Sequence, residues 1–192
     1  MLNFLSDLKN ILINYDIEVF RFINIKLHNE IFNFVVKLAA NDIFLIILIF
    51  VGLFLFFKKR KITDIDKINI CFSFWALIIV NIINTFFLKP YFKRQRPVVF
   101  LQDIHFLVKM PKLGYAFPST HTAMATAFVV ILWNDYKELR PYLALFLFFI
   151  AFFCIYSGGH YPLDVVAGII LGWIFGLVFN KIKQFLKNPK SR

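Results

Sequence analysis

The chain has 192 residues, 60% of them hydrophobic, and a formal net charge of +11. Soluble domains sit near half apolar even when glycine is counted, and the apolar residues here come in long blocks between short charged stretches, which excludes an ordinary soluble domain. The positive charge clusters at the block ends, so anionic lipid headgroups and orientation signals account for it and nucleic acid does not. The two cysteines, Cys71 and Cys154, both lie inside apolar blocks and give no disulfide framework.

In chain order, residues 1–38 mix apolar and charged positions at helical spacing. Phe20, Ile23 and Leu27 are expected on one face, with Arg21, Asn24 and Lys26 elsewhere. That many charges are costly in hydrocarbon, so the segment reads as an amphipathic helix lying in the interface. Asp16, Glu18 and Arg21 interrupt it, which argues against a cleavable signal peptide. Residues 39–180 form the transmembrane domain, beginning with the apolar run Ile43–Phe57, which stops at Lys58-Lys59-Arg60-Lys61. Further helices are expected at Ile68–Leu88, Thr120–Trp133, Tyr142–Tyr156 and Leu163–Phe179, and residues 181–192 read as a basic cytoplasmic tail. The fold class is therefore all-α, a polytopic bundle of about five transmembrane helices plus the interfacial segment. Placing Lys58–Lys61 in the cytoplasm puts the tail there too, and residues 89–118 and 157–162 on the opposite face.

Three polar clusters fall at the borders of that opposite face. The first is Lys89, six residues, then Arg96-Pro97, with Lys93 and Arg94 between them. The second is Phe117-Pro118-Ser119-Thr120-His121, and the third runs from Ser157 through Gly158, Gly159 and His160 to Asp164. Lys89 and Arg96 supply cationic donors suited to a phosphoryl group. Ser119 is a candidate N-cap, where free backbone amides attract anions, and His121 in the following turn is placed to protonate a leaving oxygen. One helical turn brings Asp164 back toward His160, which would orient the imidazole and leave its other nitrogen free to attack. Taken singly, each cluster has a plainer reading: a headgroup anchor, a helix cap, or a capping pair. Metal ligation by His121, His160 and Asp164 is open on residue type alone, but leaves Lys89 and Arg96 unexplained. His28 and His105 fit no cluster and read as structural.

Together and in this order, the clusters resemble the three-part signature of the type 2 phosphatidic acid phosphatase superfamily. Lys89, Arg96 and Pro97 match the first part, Pro118-Ser119-Thr120-His121 the second, and His160 and Asp164 the end of the third. The resemblance implies His160 as nucleophile, Asp164 as its orienting partner, and His121 as general acid. It implies phosphate binding by Lys89, Arg96, Ser119, Thr120 and Gly159, and neither metal nor cofactor. The Ser-Arg that opens the family's third part falls here on Phe153-Cys154, so one phosphate-binding arginine is absent. Arg94 or Lys93, in the neighbouring loop, is the expected substitute. The layout is closest to bacterial undecaprenyl-diphosphate phosphatases, which implies a phosphatase of a membrane lipid in the bacterial inner membrane, with its site facing the periplasm or exterior. Lipid A and phosphatidylglycerophosphate phosphatases share the signature. A catalytically weakened protein that binds or transports lipid is the alternative of another class.

Overall fold

The computed structural model describes residues 2–39, 62–107 and 114–187. The expected span Ile43–Phe57, its basic stop and residues 188–192 lie outside the described residues. The elements in chain order are α1 (Leu2–Arg21), α2 (Glu30–Ala39), α3 (Asp64–Ile83), α4 (Lys89–Phe92), α5 (Pro97–Phe100), α6 (Thr120–Trp133), α7 (Arg140–Tyr156) and α8 (Pro162–Lys187). Among the described residues there is no strand. Among the described residues, three segments are long and apolar enough to cross a bilayer: Asp64–Phe100, Lys137–Tyr156 and Pro162–Leu186.

Helix α3 starts at a reciprocal capping box. Thr63 Oγ1 accepts from the Asp66 amide at 3.3 Å, and Asp66 Oδ2 accepts from the Thr63 amide at 2.7 Å. The helix runs into a π-helical turn, Asn84–Leu88, then into α4, which ends at Lys93 in the left-handed region, φ 51°. That turn sends Arg94 and Arg96 back toward the bundle.

Helix α6 is the centre of the bundle. At 14 residues it is about 21 Å long, short of the roughly 30 Å hydrocarbon core. Its neighbours shelter it, and α8 lies closest. A Cβ placed on Gly168, Gly172 or Gly176 of α8 would sit 2.2 Å from Thr122 Oγ1, 2.1 Å from the Ala123 carbonyl oxygen or 2.6 Å from Val130 Cβ, all on α6. Three glycines four residues apart thus let two backbones touch, the usual basis of close helix packing in lipid. The large side chains Phe74, Trp75, Phe148, Ile170 and Trp173 point outward.

Two expectations change. The N-terminal segment is two helices rather than one, joined through a π-helical turn at Phe22–Lys26. Its buried stripe is Asp16, Phe20 and Asn24, so Asn24 shares the inner face with Phe20. The reason is chemical: Asn24 gives hydrogen bonds to the His105 and Tyr156 carbonyls, both at 2.8 Å, and accepts from the His105 amide at 2.9 Å. The polar groups find partners inside, while Leu8, Ile11, Leu12 and Val19 point out. At the other end of the molecule, α8 continues to Lys187, so residues 181–187 are helix and not tail. Lys183 is buried there and donates to Asp135 Oδ2 at 2.7 Å, Asn69 Oδ1 at 2.9 Å and the Ile131 carbonyl at 3.1 Å. A lysine with three partners can remain inside, and it extends the helix contact by nearly two turns.

Candidate active site

The starts of α6 and α8 meet. The Ser119 amide donates to the Asp164 carbonyl at 2.9 Å. Ser119 holds the N-cap position of α6 by backbone geometry, but its hydroxyl does not cap the helix. That hydroxyl lies 3.8 Å from Cys154 Sγ. On α8, Pro162 occupies the first turn and Asp164 Oδ2 accepts from the Tyr161 amide at 2.8 Å. Ahead of it, the chain turns through Gly158 at φ 81°, where a Cβ would meet the His105 carbonyl oxygen at 2.6 Å. This turn delivers His160, whose amide donates to the Cys154 carbonyl at 3.2 Å.

The His160 side chain is 1% exposed, with its two nitrogens in different surroundings. Nε2 faces Arg96 Nη1 at 3.4 Å. Nδ1 faces Asp164 Oδ2 at 3.8 Å, too far for a hydrogen bond, and has no hydrogen-bond partner among the described residues. Arg96 is buried and fixed by two carbonyls, donating from Nε to Gly114 at 3.0 Å and from Nη1 to Gly159 at 2.9 Å. Gly159 therefore holds the arginine through its carbonyl. Lys89 Nζ donates to the Tyr115 carbonyl at 3.1 Å, and both cations act on His160 electrostatically. Thr120 Oγ1 accepts from Asn84 Nδ2 at 2.9 Å, and His121 is exposed on the first turn of α6.

Arg94 departs from its expected part. Its guanidinium pairs with Asp164 Oδ1 at 2.7 Å and with Asp16 Oδ2, and its central carbon lies 4.4 Å from the Tyr161 ring centre. Two carboxylates hold it, so it is not turned to replace the family arginine missing at Cys154. Lys93 is exposed at the left-handed turn. Among the described residues, no group of three or more His, Cys, Asp or Glu side chains is arranged to hold a metal ion. His28 and His105 stack on each other with ring centres 3.4 Å apart. An apolar groove of about 610 Å³ opens beside Arg94, lined also by Leu8, Leu12, Ile13, Phe92, Phe117 and Leu163.

Residue-by-residue reading of motifs did not find Asp16, Asn24 or Asn84. Asn84 lies buried in the π-helical turn, where it also donates to the Pro118 carbonyl at 3.1 Å. Their only signal was a polar side chain inside an apolar, helix-spaced stretch, which in a membrane protein marks an inward face.

Burial pushes the His160 imidazole down to about 4; the pull of Asp164 upward is outweighed, and Arg96 and Lys89 add to the lowering. The ring is therefore neutral through mildly acidic pH. The unfolded chain holds a proton at this histidine that the folded chain releases, so folding stability is lost as pH falls from about 6.5 toward about 4. In a nitrogen-detected NMR titration of detergent-solubilised protein, the signal absent from His160→Ala should stay neutral down to about pH 5. A midpoint near the ordinary histidine value of about 6.5 would contradict the buried geometry.

A buried histidine thus stands between a carboxylate and an arginine at the end of a membrane helical bundle. Residues 69–187 match the PAP2 superfamily, and the chain belongs to that family. It is 28% identical over 189 residues to the undecaprenyl-diphosphatase of Sulfolobus acidocaldarius, covering 91% of this chain and 86% of that one. Its fold is similar to the crystal structure of Aquifex aeolicus LpxE, with a TM-score of 0.61, 29% identity, and coverage of 86% of this chain and 94% of that one. It also resembles the first transmembrane PAP2 type phosphatidylglycerolphosphate phosphatase from Bacillus subtilis in fold, with a TM-score of 0.65, 18% identity, and coverage of 95% and 90%.

Proposed function

We propose that this protein is a lipid phosphatase that cleaves a lipid phosphate or diphosphate, with undecaprenyl diphosphate as the preferred candidate, through a phosphohistidine on His160. The observation that carries this reading is the setting of one imidazole, with Nε2 toward Arg96 and Nδ1 toward Asp164. Arg96 and Lys89 would hold the phosphoryl oxygens, with Ser119 beside them. His160 Nε2 forms the bond to phosphorus as the bond to the leaving oxygen breaks, and His121 gives that oxygen its proton. Nδ1 keeps its proton, and the positive charge gathering on the ring is met by Asp164. Water then attacks phosphorus, passing a proton to His121. The P–N bond breaks, phosphate leaves, and His160 returns to its neutral form. The charge the reaction needs comes from Lys89 and Arg96, so the route is written without a metal. Cys154 offers a neutral sulfur where the family's arginine would add a second guanidinium, leaving these two cations as the phosphate ligands. The apolar groove beside Arg94 is suited to the first part of a lipid chain.

The likeness to the Sulfolobus enzyme supports the isoprenoid diphosphate, and lipid A and phosphatidylglycerophosphate are the other substrates of the same class. The orientation set by Lys58–Lys61 favours an exterior site in a bacterial plasma membrane. Purified protein in detergent, supplied with isoprenoid diphosphates, lipid A and phosphatidylglycerophosphate, is expected to release phosphate fastest from the first. Faster release from a glycerolipid would reassign the substrate. No release from any, with lipid still bound, would leave a lipid-binding or transporting protein.

A further inference from the structure

Asp16 belongs to α1, outside the stretch that matches the PAP2 superfamily, and the reaction as written gives it no part. Yet its carboxylate is buried at 4% exposure, 147 positions from the α8 amide it accepts from, that of Leu163, at 2.8 Å. Its other oxygen pairs with Arg94 Nη2. Arg94 Nη1 in turn donates to Asp164 Oδ1 at 2.7 Å, and the second oxygen of Asp164 is the one that faces His160. One guanidinium is thus shared by two buried carboxylates, and one of those is the group next to the nucleophile.

The charges explain why sharing matters. Arg94 and Asp164 alone sum to zero, and a guanidinium given wholly to Asp164 would cancel the negative charge that faces His160. With Asp16 included the group carries a net charge of −1. When Nε2 bonds to phosphorus the imidazole becomes cationic, and a net negative neighbour on the Nδ1 side stabilises it. Asp16 also ties down the Leu163 amide, in the same first turn of α8 that carries Asp164.

We infer that Asp16 is a positioning residue of the reaction centre: through Arg94 and the Leu163 amide it keeps Asp164 aimed at His160 and leaves it net negative charge, so the N-terminal helix completes the site. This rests on the phosphohistidine route proposed above.

The test pairs Asp16→Asn with the double variant Asp16→Asn/Arg94→Gln, each assayed for phosphate release from the best lipid substrate and for thermal unfolding in detergent. Asparagine keeps the shape and an oxygen for the Leu163 amide, and removes both the charge and the acceptor that faces Arg94. We expect kcat to fall about tenfold to a hundredfold with little change in KM. Removing Arg94 as well restores the charge of −1 on Asp164, so the double variant should recover part of that kcat, a non-additive result. A helix that Asp16 merely anchors predicts the opposite, a double variant no better than the single. An Asp16→Asn protein with the kcat and KM of the wild type overturns the inference. So does a single variant that is slow or unfolded while the double is no better. A wild type that releases no phosphate overturns the phosphatase reading and this inference with it. An active wild type with an unimpaired Asp16→Asn overturns this inference alone.

Discussion

Replacing His160 with alanine should abolish phosphate release, by at least about ten-thousandfold in kcat, the scale seen when a nucleophile is removed from a covalent mechanism. The loss should be this large because neither Arg96 nor Ser119 can take its place and His121 is already engaged as the proton donor. Arg96 is cationic, and Ser119 has no adjacent base in hydrogen-bond contact; its hydroxyl faces Cys154 Sγ. The fold should survive. The His160 amide bond to the Cys154 carbonyl is made by backbone, and the side chain contributes a buried Nδ1 without a hydrogen-bond partner. Removing an unsatisfied buried polar group offsets part of the cavity cost. Two measurements decide it: phosphate release, and trapping of an acid-labile phosphoenzyme from lipid labelled in its phosphate. Release by the alanine variant within a hundredfold of wild type, or a trapped phosphoenzyme in that variant, would remove His160 from the nucleophile's role.

Arg96→Ala is the second large effect, expected at about a thousandfold in kcat/KM, the range found for removing a preorganised donor or an arginine from a charged transition state. The absence of an arginine at Cys154 makes this residue more important here. With Arg94 committed to Asp16 and Asp164, Arg96 is the guanidinium that faces Nε2. It is also preorganised, since two carbonyls fix its direction before any phosphate arrives. Arg96→Lys keeps the charge and loses the planar fork, so it should recover only a small part of the rate. Loss within tenfold for the alanine variant would mean that Lys89 alone carries the phosphate. Thermal unfolding in detergent separates this from collapse of the loop that Gly114 and Gly159 anchor to the arginine.

Much of the helical layout was legible in the sequence because each cue was local. Thr120–Trp133 has the ends expected of it, with Ser119 at the N-cap position by its backbone and Asn134 at the C-cap. The four-residue step from His160 to Asp164 brought the two side chains near each other, His160 just ahead of α8 and Asp164 in its first turn. Arg94 was misread because its partners are 70 and 78 positions away, and no spacing rule reaches that far. Phe20 and Ile23 do pack inward together, but Asn24 joins them because in lipid a polar side chain turns toward the protein. Lys183 was assigned to a tail because a basic residue after an apolar run ordinarily marks the membrane edge.

The sequence by itself determined that this is a polytopic helical membrane protein of the PAP2 superfamily, because hydrophobic length and motif chemistry are written in neighbouring residues. Tertiary structure alone decided which cation faces His160, which pairs with Asp164, and that α1 takes part at all. Those outcomes depend on how closely α6 and α8 approach across the glycines at 168, 172 and 176, and on where buried charges find partners once they meet.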